Sequence, residues 1–250
     1  MSYIQFDNVH KSFNGQSVLS GVDIRIDKGE TVVVIGQSGC GKSVLIKHLM
    51  RLIEPDRGAV RFDDQDIALL HSRELIRMRR RIGLLFQSAA LFDSLTVAEN
   101  VGLGLRESRQ YDREQIREIV MSKLELVGLV SAADKHPSEL SGGMRKRVGL
   151  ARAIATDPEV LLYDEPTTGL DPITADMINE LIVQLNMRLH VTSIAVTHDM
   201  VSAYKVASRI IMLYDGRVEF DGSPEQVRSA SNPIVQQFIT GQAQGPIQVR

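Results

Sequence analysis

The chain has 250 residues, 43% of them hydrophobic and 24% charged, a globular composition that argues against disorder. Lys and Arg number 29 against 31 Asp and Glu, so the net charge is −2 and there is no bulk positive field to draw in nucleic acid, which is not expected as a partner. The single cysteine, Cys40, excludes a disulfide within the chain and a cysteine-rich metal site, and suits a reducing compartment.

The opening stretch MSYIQFDNVHKSF lacks the apolar centre of a secretory signal. Apolar runs such as Val32–Ile35 and Ile210–Tyr214 are a few residues long, far from the roughly 20 that span a bilayer, so no membrane crossing is expected. Tyr3–His10 and Gly21–Ile26 alternate in period two, with turn signals at Asn14-Gly15 and Lys28-Gly29, and read as antiparallel strands. Thr31–Ile35 is an unbroken apolar strand suited to burial on both faces, and Gly41–Ile53 follows as a helix. Further buried strands are expected at Ile82–Phe86, Val160–Tyr163, Ser193–Val196 and Arg209–Leu213. From 88 to 156 the pattern is helix after helix, at Thr96–Leu105, Asp112–Val127 and Gly142–Ala155.

The expected fold is α/β, with an N-terminal antiparallel β subdomain and an inserted α-helical subdomain. Residues 1–240 would form a single domain, with 1–87 and 156–240 as the core and 88–155 as the insertion. The closing stretch 241–250, GQAQGPIQVR, is expected to be an extended or mobile tail.

Gly36-Gln37-Ser38-Gly39-Cys40-Gly41-Lys42-Ser43 matches G-x-x-x-x-G-K-[ST] between a strand and a helix, where that motif belongs. Its glycines let backbone N–H groups turn inward around phosphate oxygens, and the helix N-terminus adds a positive dipole end. Gly36, Ser38, Gly39, Cys40, Gly41, Lys42, Ser43 and Val44 are the expected nucleotide contacts. Among them Lys42 reaches the β- and γ-phosphates, and the Ser43 hydroxyl ligates Mg²⁺. A thiolate at Cys40, near the helix N-terminus, would be stabilised.

Val160-Leu161-Leu162-Tyr163-Asp164-Glu165 is an apolar strand ending in two acids. Asp164 can hold Mg²⁺, directly or through water, and Glu165 can polarise an attacking water. Upstream, Leu140-Ser141-Gly142-Gly143-Met144 opens another helix, with Ser141 as N-cap and two glycines leaving first-turn N–H groups exposed. Two anion-seeking helix ends could grip one phosphate chain if they face each other, within one chain or across a dimer. The basic cluster Arg145-Lys146-Arg147 fans around more than half a helical turn and reads as a solvated face. Arg77, Arg79, Arg80 and Arg81 are ambiguous in the same way.

The order of the phosphate loop, Gln87 after a strand, Leu140–Met144, Tyr163–Glu165, Gly169-Leu170-Asp171 and His198 resembles that of ABC-type ATPases, over residues 3–240. The resemblance implies that the α/β core is a P-loop NTPase (RecA-like) core, with ATP and Mg²⁺ as cofactors. It also implies Gln87 as a Mg²⁺ or water contact, His198 as a switch histidine on the γ-phosphate and attacking water, and Asp171 in the D-loop. Phe13 would stack on adenine. Two subunits would pair head to tail, so that Ser141, Gly142 and Gly143 face the partner's ATP.

A chain with neither a long coiled coil nor a second ATPase unit fits a transporter subunit or a stand-alone ATPase such as the iron–sulfur assembly type. A transporter subunit would couple to a separate integral-membrane permease and sit peripherally at the cytoplasmic face of the inner (plasma) membrane. Ser88-Ala89-Ala90-Leu91-Phe92 is where such subunits receive a permease helix, and a buried core loop is the other reading. The strings LSGGMRKR, YDEPTTGLDPI, THDM and VASRIIMLYDG, with Gly245-Pro246-Ile247, resemble the Mla/Mce type. That type implies phospholipid or related lipid transport with an Mce-type lipid-binding protein in the complex. The other readings are an importer ATPase for amino acids, metals or organic solutes, and then an iron–sulfur assembly ATPase.

Overall fold

In the computed structural model, which describes residues 2–248, Asn14 and Gly15 both have positive φ, 50° and 80°. A tight two-residue hairpin turn asks for that conformation. Strands β1 (Ile4–Phe13) and β2 (Gln16–Ile26) run antiparallel from this turn, and both are longer than the alternation predicts. Register shifts between Phe6 and Val9, Val9 and His10, and Lys11 and Ser12 break the period of two and hide their outer halves.

By packing, the chain forms two compact units, one up to Leu75 together with the stretch from Ile194 onward, the other Ile76–Ser193. In the first, an antiparallel sheet has the order β2-β1-β4-β5, with β4 at Arg57–Phe62 and β5 at Gln65–Asp66. Neither β4 nor β5 follows from the sequence pattern, because Asp63 and Asp64 take the two positive-φ turn positions in place of the usual Asn-Gly. Strand β3 (Thr31–Ile35) pairs parallel with β9 (Arg209–Tyr214), and β9 pairs antiparallel with β10 (Arg217–Gly222). Arg209 ties this group together: its guanidinium donates to both Asp221 oxygens at 2.5 Å and to Glu30 and the Arg25 carbonyl.

Helix α1 (Lys42–Leu49) is shorter than expected, because Arg51 turns to φ 47° just past its end. Helix α2 (Ser72–Arg80) carries the chain out of the first unit and exposes much of its arginine-rich face. Arg81 instead pairs with Glu159, its Nε donating at 2.6 Å.

In the second unit β6 (Ile82–Leu85) and β7 (Val160–Asp164) pair in parallel. Between them lie α3 (Val97–Ser108), α4 (Arg113–Leu126) and α5 (Gly142–Ala153), with no strand among residues 88–156, as the helical pattern predicts. Reciprocal side-chain bonds, Thr96 with Glu99 and Asp112 with Gln115, fix where α3 and α4 begin. Helix α6 (Pro172–Leu189) follows, and the chain returns to the first unit through β8 (Thr192–Thr197) and α7 (Met200–Val206). Helices α8 (Pro224–Arg228) and α9 (Pro233–Thr240) close the regular structure.

The tail corrects its expectation. Ile247 is buried, its N–H donates to Gln237 Oε1 at 2.6 Å, and Gln237 Nε2 donates to its carbonyl at 3.1 Å. A residue held on both backbone groups by one buried side chain is anchored, not mobile; residues 249–250 lie outside the described ones. No helix among the described residues is long and apolar enough to cross a membrane.

His48 sits on the buried face of α1, its Nδ1 2.7 Å from the Val44 carbonyl and its Nε2 without a partner among the described residues. Burial holds its pKa below 6.5, with Lys11 and Asp56 as smaller influences of opposite sign. The unfolded chain therefore takes up a proton first as pH falls through about 6.5, and stability is lost below that pH. Thermal unfolding followed from pH 7 to pH 5 should show a shallower fall in Tm for His48→Leu than for the unsubstituted chain. Parallel slopes would refute this.

Candidate nucleotide-binding and hydrolysis site

The loop between β3 and α1 is shaped by close approach. A Cβ at Gly36, which has φ 147°, would lie 2.3 Å from the Leu213 carbonyl oxygen and 2.7 Å from Cys40 Sγ. At Gly41, which enters α1 at φ 103°, it would lie 2.6 Å from Leu19 Cδ2. Only glycine fits at either place. Lys42 is buried to 5% exposure, and its ammonium donates to the carbonyls of Gly36 at 2.8 Å and Gln37 at 3.0 Å. The loop thus bends around its own lysine.

The same unit holds Phe13 and His198. Phe13 is exposed at the tip of β1, with Lys11 Nζ 5.4 Å from its ring centre. His198 is exposed directly after the fully buried β8, and Asp199 behind it caps α7 by accepting from the N–H groups of Val201 and Ser202. Capping fixes the backbone on which His198 stands.

The second unit carries the acids. Asp164 and Glu165, at the end of β7, are each 8% exposed. Glu165 has φ 49°, a left-handed conformation that costs a residue with a Cβ roughly 1–2 kcal/mol. Three hydrogen bonds brace it there. Thr168 donates from Oγ1 to Oε2 at 3.1 Å and from its N–H to the Glu165 carbonyl at 3.3 Å. The third comes from Lys146, whose Nζ donates to that same carbonyl at 3.1 Å and to the Gln87 carbonyl at 2.5 Å.

Lys146 corrects the reading of Arg145-Lys146-Arg147 as a solvated face, which holds at the exposed Arg145. Lys146 is 5% exposed, and burial pushes its pKa down to about 8 against the opposing pull of Glu165 and Asp164. Arg145 and Arg147 likewise spend their guanidinium groups on carbonyls, of Leu140 and Val127. One sequence signal points to this: Gly149 is a poor residue for a helix interior. A Cβ there would meet Leu85 Cδ1 at 2.6 Å and Ala89 Cβ at 3.2 Å, so Lys146 and Arg152, three residues to either side, share a packed face. Arg152 donates to the carbonyls of Ala89 and Ala90, two successive residues with positive φ. Of the Ser88–Phe92 stretch, Ala89 is therefore buried while Phe92 is half exposed.

Ser141 caps α5, accepting from Met144 N–H at 3.3 Å. Gly143 is required by α6, because a Cβ there would lie 2.5 Å from Thr174 Cγ2. Asp171 caps α6 through Ile173 and Thr174, and the Thr174 hydroxyl and backbone bonds hold its carboxyl below the usual carboxylate range.

Among the described residues no three His, Cys, Asp or Glu side chains cluster as a metal cage. The oxygen donors expected for a metal are a hydroxyl (Ser43), a carboxylate (Asp164) and an amide (Gln87), a hard set. A donor set of one carboxylate and neutral oxygens, completed by phosphates, fits Mg²⁺ and excludes soft metals.

Comparison with known proteins identifies the family. The family model described as ABC transporter matches residues 19–168. The intermembrane phospholipid transport system ATP-binding protein MlaF of Haemophilus influenzae is 39% identical, over 99% of this chain and 94% of that protein. The chloroplastic protein trigalactosyldiacylglycerol 3 of Arabidopsis thaliana is 44% identical, over 98% of this chain and 75% of that protein. The probable ribonucleotide transport ATP-binding protein mkl of Mycobacterium tuberculosis is 40% identical, over 98% and 68%. Among solved structures, the ATP-binding cassette MJ0796, a dimer in a post-hydrolysis state bound to ADP and Pi, superposes with a TM-score of 0.81 at 34% identity. That match covers 88% of this chain and 98% of the other.

Cys40 is half-buried inside the phosphate loop, its Sγ packed against Gly36. A thiol reagent should inactivate nucleotide turnover, and saturating ATP should slow Cys40 labelling, read by intact-protein mass spectrometry. Labelling at the same rate with and without ATP would remove Cys40 from the nucleotide site.

Proposed function

The chain belongs to the ABC transporter family and is an ATP-hydrolysing cassette, and from that premise we propose that two copies pair head to tail to drive a separate permease that moves phospholipid or a related lipid between membranes. The observation that carries the hydrolytic part is the braced Glu165, a buried carboxylate whose backbone is held in a strained conformation where the apolar strand ends. Strain kept at a position by three hydrogen bonds is characteristic of a functional site. For the lipid cargo the support is similarity along nearly the whole chain to a protein named for phospholipid transport.

Each residue then has a role. The N–H groups of Gly36–Ser43 and the Lys42 ammonium hold the phosphates, Val44 continues that contact into α1, and Phe13 stacks on the base. Ser43, Asp164 and Gln87 hold Mg²⁺, which when bound neutralises charge on the phosphate oxygens. Glu165 accepts a proton from the attacking water, and His198 orients that water by hydrogen bonding. Ser141, Gly142 and Gly143 face the partner's nucleotide, with Asp171 in the adjoining loop. Residues 88–155 act as a helical subdomain that relays closure to the permease at the cytoplasmic face of the inner membrane, where an Mce-type lipid-binding protein completes the complex. Product release reopens the pair.

Glu165→Gln should leave ATP affinity intact and lower turnover by roughly 10²–10⁴, the usual cost of losing a general base. Near-normal steady-state hydrolysis would remove Glu165 from that role. Lys42→Ala should instead weaken ATP binding, and unchanged affinity would contradict its assignment.

Cargo is tested by tagging the chain in its native cell, extracting membranes in mild detergent, and identifying co-purifying proteins and lipids by mass spectrometry. A permease with an Mce-type protein and bound phospholipid is the expected result. A permease with a solute- or nucleotide-binding protein would keep the ATPase and refute the lipid cargo, an outcome the mkl similarity makes concrete. Soluble partners alone would mean a stand-alone ATPase.

A further inference from the structure

Lys146 is a cation without a place in the mechanism above. It stands one turn inside α5, is 5% exposed, and spends its ammonium on two main-chain oxygens from different loops: Gln87, just after β6, and Glu165, just after β7. Burying an ammonium is costly, and a helix of this packing could hold an apolar side chain there at no such cost. What the charge supplies is a link. The Glu165 carbonyl it grips belongs to a residue at φ 49°, and the Gln87 carbonyl belongs to the residue expected to meet the metal or water.

We propose that Lys146 is a positioning residue for hydrolysis: by donating to the Gln87 and Glu165 carbonyls at once, it fixes the Glu165 carboxylate in register with the Gln87 loop. This rests on the reading of Glu165 as the group that polarises water. Lys146 touches neither substrate nor metal in this role. It acts through the backbone orientation of the residue that does.

The rest of the neighbourhood makes the link separable from folding. Thr168 keeps its own two bonds to Glu165. Arg152 keeps the Ala89 and Ala90 carbonyls, so the loop after Gln87 stays seated on α5 without Lys146. Gly149 keeps α5 against Leu85 and Ala89. Removing the ammonium therefore frees the orientation of Glu165 relative to Gln87 and leaves the packing of α5 in place.

The test compares Lys146→Met, which keeps length and loses both donors, with Lys146→Arg, which restores a cationic donor, using ATP affinity, KM and kcat on the full chain. Lys146→Met should lower kcat at least tenfold with the ATP Kd within about twofold, and Lys146→Arg should recover a large part of kcat. If Lys146→Met does not fold, Lys146→Leu, which also removes every donor, takes its place under the same limits. A kcat within twofold of the unsubstituted chain, or a loss that Arg does not relieve, overturns the proposal. Glu165→Gln measured alongside separates the two readings: if it still turns over, the assignment of Glu165 has failed. If it is dead while Lys146→Met turns over normally, only the positioning role has failed.

Discussion

A buried ammonium is stable only where oxygens replace the water it gave up, and the loops around Lys42 and Lys146 are shaped by that need. Both side chains are 5% exposed, and each is met by backbone carbonyls. Main-chain oxygens cannot swing toward a charge as side chains do, so the chain itself must bend. Around Lys42 this means glycines at Gly36 and Gly41, where any Cβ would strike neighbouring atoms. Around Lys146 it means two strand ends whose carbonyls converge on one atom. At Glu165 the unusual backbone conformation coincides with a carbonyl that one of these cations holds.

Strain is therefore local and compensated. Glu165, Ala89 and Ala90 all have positive φ without being glycine, at a cost of order 1–2 kcal/mol each. Each lies on a carbonyl ligand of Lys146 or Arg152. A charge-assisted hydrogen bond contributes about 1.5–3 kcal/mol, enough to offset one such conformation but little more. The arrangement holds because α5 supplies these bonds from one face while Gly149 lets that face come close.

How much of this could be read from the sequence depends on whether a residue's role is set locally. The phosphate loop is legible because its lysine is held by carbonyls five and six residues back, within the motif itself, although the close approaches that require Gly36 and Gly41 come from Leu213 and Leu19. The acids of Asp164-Glu165 are legible because they end an apolar strand, although their burial is not. Lys146 is not legible as a buried residue: in a run of three basic side chains, a charge is more often solvated, and its carbonyl partners lie 59 and 19 residues away. Strand β4 is missed because Asp63-Asp64 does the work of a glycine turn, and the tail is misjudged because its anchor, Gln237, lies ten residues back. Distant partners account for Lys146 and the tail, and an unusual local turn accounts for β4.

Helix α5 joins these features along one rod. Its N-terminus is capped by Ser141, Lys146 follows one turn on, and Arg152 closes it. At 1.5 Å per residue the eleven residues from Ser141 to Arg152 span about 16 Å. Its N-terminal end is the one proposed to face a nucleotide, the middle holds the Glu165 and Gln87 carbonyls, and the far end holds the loop that exposes Phe92. A rigid helix bonded at three stations cannot shift at one without displacing the others. A force on the N-terminal end and a force on the Phe92 loop are therefore felt by the same buried carboxylate. Under the function proposed above, α5 is the element through which ATP turnover and an outside partner would be coupled.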